Sequence, residues 1–128
     1  MLDNSNAFAS FSVDNIEEAR KFYHDTLGLE VNVNFMPENK KILGLKFSNG
    51  TECMLYAKPD HKPATFTVLN FQVDDVKKAV AELHEKGVEF LHYIGNDNNE
   101  IAHPDGMDIA WFKDPAGNFL SIVKTPEQ

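Results

Sequence analysis

The histidines are the side chains of this sequence that could most directly carry out metal or acid–base chemistry. The five are His24, His61, His84, His92 and His103. No two of them have the i, i+4 spacing that places a pair of imidazoles on one face of a helix. We interpret His103 with Asp105 as the close histidine–carboxylate pair, in a loop that could edge a cleft. Because His24 and His84 are expected on the polar sides of predicted helices, the histidines alone do not predict a metal site.

The sequence offers few candidates for nucleophilic catalysis. It shows no Ser–His–Asp set and no glycine-rich loop of the type that cradles phosphate. Cys53 is the only cysteine, so no disulfide can form within the chain, which fits a reducing compartment. Alternation places Cys53 on the helix-packed side of a predicted strand, and we interpret it as a buried structural residue.

Composition and charge limit the partners that the chain is expected to have. With 42% hydrophobic and 25% charged residues, its composition is that of an ordinary globular domain. The formal net charge of −8 repels phosphate backbones and anionic lipid, so we expect no nucleic-acid partner and no membrane partner. The N-terminus lacks the features of a signal peptide, and no apolar run approaches the roughly 20 residues that span a bilayer. The sequence therefore indicates a cytoplasmic protein.

Two related halves organise the sequence. Residues 11–19 match residues 71–79 at an offset of 60, with Phe, Val, Asp and Ala identical. Two further matches follow in the same order, between residues 27–31 and 86–90 and between residues 47–51 and 112–118. Three matches in one order indicate a duplicated unit.

Each half predicts the element order β-α-β-β-β. In the first half, Asn15 with Glu18 fits a helix N-cap and capping box, and Gly28 fits a C-cap. Asn49-Gly50 indicates a type I′ hairpin turn, and Asp74 or Asp75 caps the second helix. Strands are predicted over 7–13, 29–35, 41–48 and 51–57, and then over 65–73, 88–94, 108–113 and 119–124, with helices over 16–27 and 75–86.

The predicted fold class is α+β, with two βαβββ modules forming a cupped mixed sheet and the helices on the outside. The modules cover about residues 6–58 and 64–125 of a single domain, 1–128, and a linker covers 58–63. A helix buries one face of each sheet, so the other face must be buried by the partner module or line a cavity. Small molecules bind in concave, partly apolar spaces of this kind.

Motifs from both halves carry a family resemblance. They are Phe11-Ser12-Val13-Asp14-Asn15 leading to Ala19-Arg20-Lys21-Phe22-Tyr23 and Leu27-Gly28-Leu29, and the C-terminal Trp111-Phe112-Lys113-Asp114-Pro115-Ala116-Gly117-Asn118-Phe119-Leu120. Together they resemble the vicinal oxygen chelate superfamily, which includes glyoxalase I, extradiol dioxygenases, and bleomycin and fosfomycin resistance proteins. The resemblance covers nearly the whole chain. It implies the fold more strongly than a function, because one scaffold hosts many chemistries.

The resemblance also implies four strand positions that hold His, Gln or Glu as metal ligands in the metal-using members. In this sequence those positions carry Phe8, Met54, Val68 and Ser121, the last where relatives usually have Glu. A shift of one residue brings in no set of oxygen or nitrogen ligands. Because a divalent ion needs several converging carboxylate, imidazole or thiolate groups, we expect no metal, no other cofactor and no Lewis-acid chemistry.

Strand alternation predicts which side chains face the cleft. Aromatic rings would stack on the ligand, and Glu52, Asn70, Gln72 and Ser121 would be polar anchors. We expect a metal-independent small-molecule-binding protein similar to the bleomycin-resistance branch, without catalytic residues, for a small apolar or aromatic ligand that is neutral or cationic. The expected ligand-binding residues are Phe8, Ser10, Glu52, Met54, Tyr56, Val68, Asn70, Gln72, Trp111 and Ser121.

Two other functions remain open at this point. One is an enzyme, either a lyase, isomerase or dioxygenase with displaced ligands such as His103 and Asp105, or a metal-free acid–base catalyst using Glu52. The other is a structural or partner-binding module whose cleft is filled by its own side chains. A homodimer, which resembling proteins often form, is compatible with all three.

Overall fold

Two sheets, each with a helix packed on one face, make up the structure. The computed structural model describes residues 1–93, 95–96, 98 and 100–126. Its contacts divide the chain into two units, Met1–Lys62 and Pro63–Gln128. Both sheets are mixed, which confirms the α+β class and the two βαβββ modules.

The first unit contains a four-stranded sheet with the order β1-β4-β3-β2. β1 runs parallel to β4, and the other neighbours are antiparallel. A short 3₁₀ helix, Leu2–Asn4, precedes the sheet, and a π-helical segment, Phe22–Thr26, continues α1. The elements are β1 (Ala9–Val13), α1 (Ile16–Lys21), β2 (Glu30–Asn32), β3 (Ile42–Lys46) and β4 (Glu52–Ala57).

The N-cap and the C-terminal glycine predicted for the first helix are confirmed. The Asn15 side chain accepts a hydrogen bond from the Glu18 backbone N–H at 3.0 Å, which satisfies one of the unpaired donors of the first turn. Gly28 has a φ of 77°, a conformation that costs glycine little. Between these ends, Ala19 and Tyr23 are buried. α1 packs against β3 and β4, and the π-helical segment that holds Tyr23 packs against β2.

The second unit contains a three-stranded sheet with the order β5-β7-β6. β5 runs parallel to β7, and β6 is antiparallel to it. Asp75, one of the two predicted caps, accepts from the Lys78 backbone N–H at 3.0 Å. The elements are β5 (Thr67–Gln72), α2 (Val76–Glu85), a 3₁₀ helix (Pro104–Gly106), β6 (Asp108–Lys113) and β7 (Phe119–Lys124).

The predicted strand 88–94 is wrong as a continuous element over its described residues; Ile94 lies outside them. Only Phe90 forms a bridge, to Phe112 in β6, with a hydrogen bond from Leu91 N–H to the Trp111 carbonyl nearby. The other end of the same β6 edge pairs with Ala102, which bridges Ile109. Two short segments therefore share one strand edge, and neither has enough of it to form a regular strand. The predicted strand 29–35 also ends early, at Asn32.

The predicted type I′ turn at Asn49-Gly50 is wrong, because only Gly50 of the pair has a positive φ, 87°. Gly50 N–H donates to the Phe47 carbonyl and Phe47 N–H donates to the Thr51 carbonyl, which makes a three-residue loop that ends in a left-handed glycine. The second unit has the same two hydrogen bonds: Gly117 N–H donates to the Asp114 carbonyl, and Asp114 N–H donates to the Asn118 carbonyl. Gly117 also has a positive φ, 85°. The duplicated sequence thus produces the same hairpin loop twice.

None of the described helices combines the length and the apolar character needed to cross a membrane.

Candidate functional site

One face of the first sheet carries most of the ligand-facing residues predicted for that unit. Register places Ser10, Met54 and Gly44 side by side across three strands, and Ser12, Tyr56 and Ile42 in the next row. Glu52 lies on the same face, since it is two residues from Met54 along β4. The opposite face, with Leu45 and Leu55 fully buried, packs against α1. The alternation that placed Ser10, Glu52, Met54 and Tyr56 together therefore agrees with the register.

A cavity of about 350 Å³ lies on this face. Met54 and Tyr56 line it, next to Ile42, and both are half-buried. The remaining lining residues are Asn39, Lys41 and Ala57. These three side chains provide a surface suited to an apolar or aromatic molecule. The flexible Met54 side chain can adapt its conformation to the molecule, and the Tyr56 ring can stack on it.

Phe35 and Glu52 cover Gly44, which lies in the row of Ser10 and Met54, because Gly44 has no side chain. A Cβ on Gly44 would lie 2.5 Å from Glu52 Oε2 and 2.8 Å from Phe35 Cδ2. The Asn32 amide donates to Glu52 Oε2 at 3.3 Å, and Phe8 contacts the Phe35 ring edge-on with ring centres 5.4 Å apart. Phe8 precedes β1 and is 58% exposed, so it borders the face from outside the strand.

Ser12 and His61 form a pair at the β1 side of the face. Ser12 Oγ lies 2.6 Å from His61 Nδ1, and both residues are half-buried. Register makes Ser12 the neighbour of Tyr56, a cavity residue. The sequence does not predict this pair, because its members are 49 residues apart and His61 belongs to the predicted linker.

In the second unit, Asn70, Ser121 and Trp111 lie side by side across β5, β7 and β6. Ser121 is fully buried and donates to Asn70 Oδ1 at 2.6 Å, and the Trp111 ring packs edge-on against Tyr93. Gln72 lies one row further along the same face of β5. The predicted grouping of these four side chains therefore agrees with the register.

Val68 does not continue that row. Thr67 pairs with Phe119 and Leu69 pairs with Leu120, so β5 has a bulge with Val68 as the extra residue. Strict alternation, which grouped Val68 with Asn70 and Gln72, is therefore wrong at this end of the strand.

The histidine–carboxylate contacts also differ from the predicted pair. His103 Nδ1 lies 2.7 Å from Asp108 Oδ1 rather than against Asp105, whose backbone is left-handed with a φ of 52°. Both His103 and Asp108 line a cavity of about 560 Å³ in the second unit. Its other lining residues are Asp74, Asp75, Val76, Lys77, Asn98, Ile101 and Lys124. Charges of both signs surround this space, so it suits an apolar ligand less well than the cavity beside Tyr56.

Glu100 joins two further histidines that the sequence left separate. The nearly buried Glu100 carboxylate accepts from His84 Nε2 at 3.0 Å and from His92 Nε2 at 3.1 Å. His84 is exposed, which agrees with its predicted place on the polar side of the helix, and it is also paired with Glu100. Burial raises the pKa of Glu100, but the hydrogen bonds from the two imidazoles outweigh burial and hold that pKa below its usual 4.5.

Replacing Glu100 with glutamine is expected to lower the free energy of unfolding at neutral pH by about 1–3 kcal/mol. A carboxyl group with a lowered folded-state pKa contributes its stability above its unfolded pKa and loses it as the pH falls through the folded value. The difference in the free energy of unfolding between wild type and variant should therefore decrease below a pH of about 4.5. Urea midpoints across this pH range measure it, with Glu89→Gln as an exposed control. A difference that stays constant down to the acid transition would contradict the assignment.

Cys53 is buried, as predicted, and lies on the face that packs against α1. Burial raises the pKa of its thiol to about 11. The thiolate, which is the reactive form, is therefore scarce at neutral pH.

The side chains at the four positions implied by the resemblance do not fit a metal centre. Phe8 and Val68 supply no donor atom, Met54 supplies only a thioether, and the Ser121 hydroxyl donates to Asn70. In the part of the chain that the structure describes, no group of three or more His, Cys, Asp or Glu side chains is arranged to hold a metal ion. The donor set therefore disagrees with that of the metal-using relatives.

Comparison with known proteins gives a family and a set of similar structures. The family model described as the Glyoxalase/Bleomycin resistance protein/Dioxygenase superfamily matches residues 7–122. No curated protein sequence matches the chain as a relative.

Three solved structures illustrate the similarity. A glyoxalase family protein from Enterococcus faecalis is 23% identical, with a TM-score of 0.71 over 96% of this chain and 99% of that one. Lactoylglutathione lyase from Agrobacterium tumefaciens is 18% identical, with a TM-score of 0.69 over 96% of each chain. TnmS3, an antibiotic binding protein from Streptomyces sp. CB03234, is 25% identical, with a TM-score of 0.69 over 95% of this chain and 98% of that one.

Proposed function

We propose that this chain, which belongs to the Glyoxalase/Bleomycin resistance protein/Dioxygenase superfamily, is a metal-independent protein that binds a small apolar or aromatic molecule. The observation that carries the proposal is the cavity of about 350 Å³ lined by Met54, Tyr56 and Ile42. Met54 occupies one of the positions at which metal-using relatives are expected to hold an ion. An apolar wall at that position favours binding by contact and stacking over coordination.

The polar groups around the cavity supply orientation rather than chemistry in this proposal. Ser10 and Glu52 flank Met54 on the same face, and Glu52 is held by Asn32. Asn70, Gln72 and Trp111 lie on the corresponding face of the second unit, which we assign as a further ligand-contacting surface, and the buried Ser121 supports that face through its hydrogen bond to Asn70. The description of TnmS3 as an antibiotic binding protein supports a role in binding small molecules.

The net charge of the protein further restricts the class of ligand that we propose. A formal net charge of −8 disfavours anions, so the ligand is neutral or cationic in this proposal.

Titration of the folded protein with the neutral dye Nile red tests the binding function, because the fluorescence of the dye rises in apolar surroundings. We expect a saturable rise in fluorescence at one dye molecule per cavity. A small molecule that binds in the cavity should displace the dye and reverse the rise. No rise above that of a denatured sample would contradict the proposal.

Metal independence has its own test. Elemental analysis of the purified protein is expected to find no stoichiometric transition metal, because the donor set does not fit one. A sample incubated with excess zinc and then desalted serves as the control for weak surface binding. One equivalent of zinc, nickel or iron per chain in the untreated protein would instead favour a metal-dependent lyase, isomerase or dioxygenase with non-standard ligands.

A further inference from the structure

A serine and a histidine stand in the relation of nucleophile and base at the edge of the apolar cavity. Ser12 Oγ and His61 Nδ1 are 2.6 Å apart, within the range for an O–H···N hydrogen bond between a nucleophile and its general base. The half-buried position of both residues partly shields this contact from water. The duplicated strand in the second unit places Gln72 at the position of Ser12, so the pair is not a consequence of the duplication.

The surroundings place the pair next to a space that an ester could occupy. Ser12 lies on the cavity face of β1 beside Tyr56, and neighbouring strands are about 4.8 Å apart. The turn that carries His61 is fixed by a hydrogen bond from its backbone N–H to the Lys58 carbonyl. Lys58 and Asp60, the charged residues of that turn, form an exposed ion pair with each other at 3.8 Å.

We propose that Ser12 is a nucleophile activated by His61, which accepts an acyl group from small apolar or aromatic esters bound beside Tyr56. Ser12 Oγ forms a bond to the acyl carbon while its proton passes to His61 Nδ1. The bond from the acyl carbon to the ester oxygen then breaks, and the leaving alcohol or phenol takes that proton. Water attacks the acyl-serine next, His61 accepts the proton of the water and returns it to Ser12 Oγ, and the carboxylic acid is released. This reactivity is separate from the proposed binding function.

The test is acylation of the intact protein by para-nitrophenyl acetate, followed by peptide mass spectrometry to locate the acetyl group. We expect acetylation of Ser12 together with release of nitrophenolate. In Ser12→Ala both the serine adduct and its share of the release should be absent. Ser48→Ala is the control, because Ser48 is an exposed serine in the hairpin loop of the same unit, outside the cavity lining, and its loss should leave the rate unchanged.

The role of His61 is tested by the rate of acetylation. His61→Asn should slow acetylation of Ser12 about a hundredfold, since a positioned base contributes about 10²–10⁴-fold. His61→Gln replaces His61→Asn if the latter does not fold. A folded wild type that gains no acetyl group on Ser12, or that acetylates the exposed Ser48 equally, overturns the proposal, as does an unchanged rate without His61. Nile red binding without acetylation would remove only this inference.

Discussion

Asp114→Ala is expected to lower the free energy of unfolding by about 3–5 kcal/mol, because several buried donors lose one charged acceptor. Asp114 Oδ1 accepts from the backbone N–H groups of Ala116 and Asn118 at 2.9 and 2.8 Å, and Oδ2 accepts from the Asn118 side-chain amide at 3.0 Å. Asp114 and Asn118 are 4% and 2% exposed, so water replaces these bonds poorly. A domain of this size is stable by only about 5–15 kcal/mol, which makes the loss a large share of the total.

Two further variants separate the mechanism from a general effect of charge. Asp114→Asn keeps the shape and one acceptor oxygen, so it should retain the backbone bonds, lose the contact with the Asn118 amide and fall between wild type and alanine. Asp60→Ala removes an exposed carboxylate whose ion pair is worth at most about 1 kcal/mol. Urea unfolding gives all three values. If Asp114→Ala costs no more than Asp60→Ala, the turn does not depend on its carboxylate.

Local signals in the sequence were the ones that predicted structure well. The caps at Asn15 and Asp75 each depend on a side chain and a backbone group three residues apart, so neighbouring residues determine them. Gly28 and Gly117 mark positions where the chain needs a positive φ, which few other residues adopt. Such contacts depend mainly on neighbouring residues, and this is why the starts of both helices were predicted.

Features that depend on distant strands were not predictable in the same way. The bulge at Val68 arises from the pairing of Thr67 with Phe119 and of Leu69 with Leu120, more than 50 residues along the chain. Nothing in the Thr-Val-Leu run marks the extra residue. The division of the β6 edge between Phe90 and Ala102 is likewise set by two segments that compete for one partner.

The candidate site also contains both kinds of feature, some set by local sequence and some by distant contacts. Met54 and Tyr56 were placed on one face by period-two alternation within a single strand, which needs no knowledge of distant contacts. The contact between Ser12 and His61 and the joining of His84 and His92 by Glu100 depend on how loops fold back. Among the histidines, close sequence spacing favoured His103 with Asp105, whereas strand geometry brings in Asp108.

Met54→Asp is expected to abolish Nile red binding, with an affinity loss of about a hundredfold or more, because it would place a carboxylate without a partner against a bound apolar ring. Tyr56→Ala should weaken binding about 10- to 30-fold, the equivalent of about 1.5–2 kcal/mol of lost aromatic contact. Both residues are half-buried, so both variants should fold. Equilibrium fluorescence titration measures the two affinities.

The matched control for these variants is Leu2→Asp. Leu2 is an apolar side chain of the same unit, is 78% exposed and is not part of the cavity lining. If the dye binds in the cavity, Leu2→Asp should bind as wild type does while Met54→Asp does not. If the dye instead adheres to exposed apolar surface, Leu2→Asp should lower the signal and Met54→Asp should retain it, and the cavity beside Tyr56 would not be the binding site. Because a single charge is introduced in each variant, the comparison isolates position from net charge.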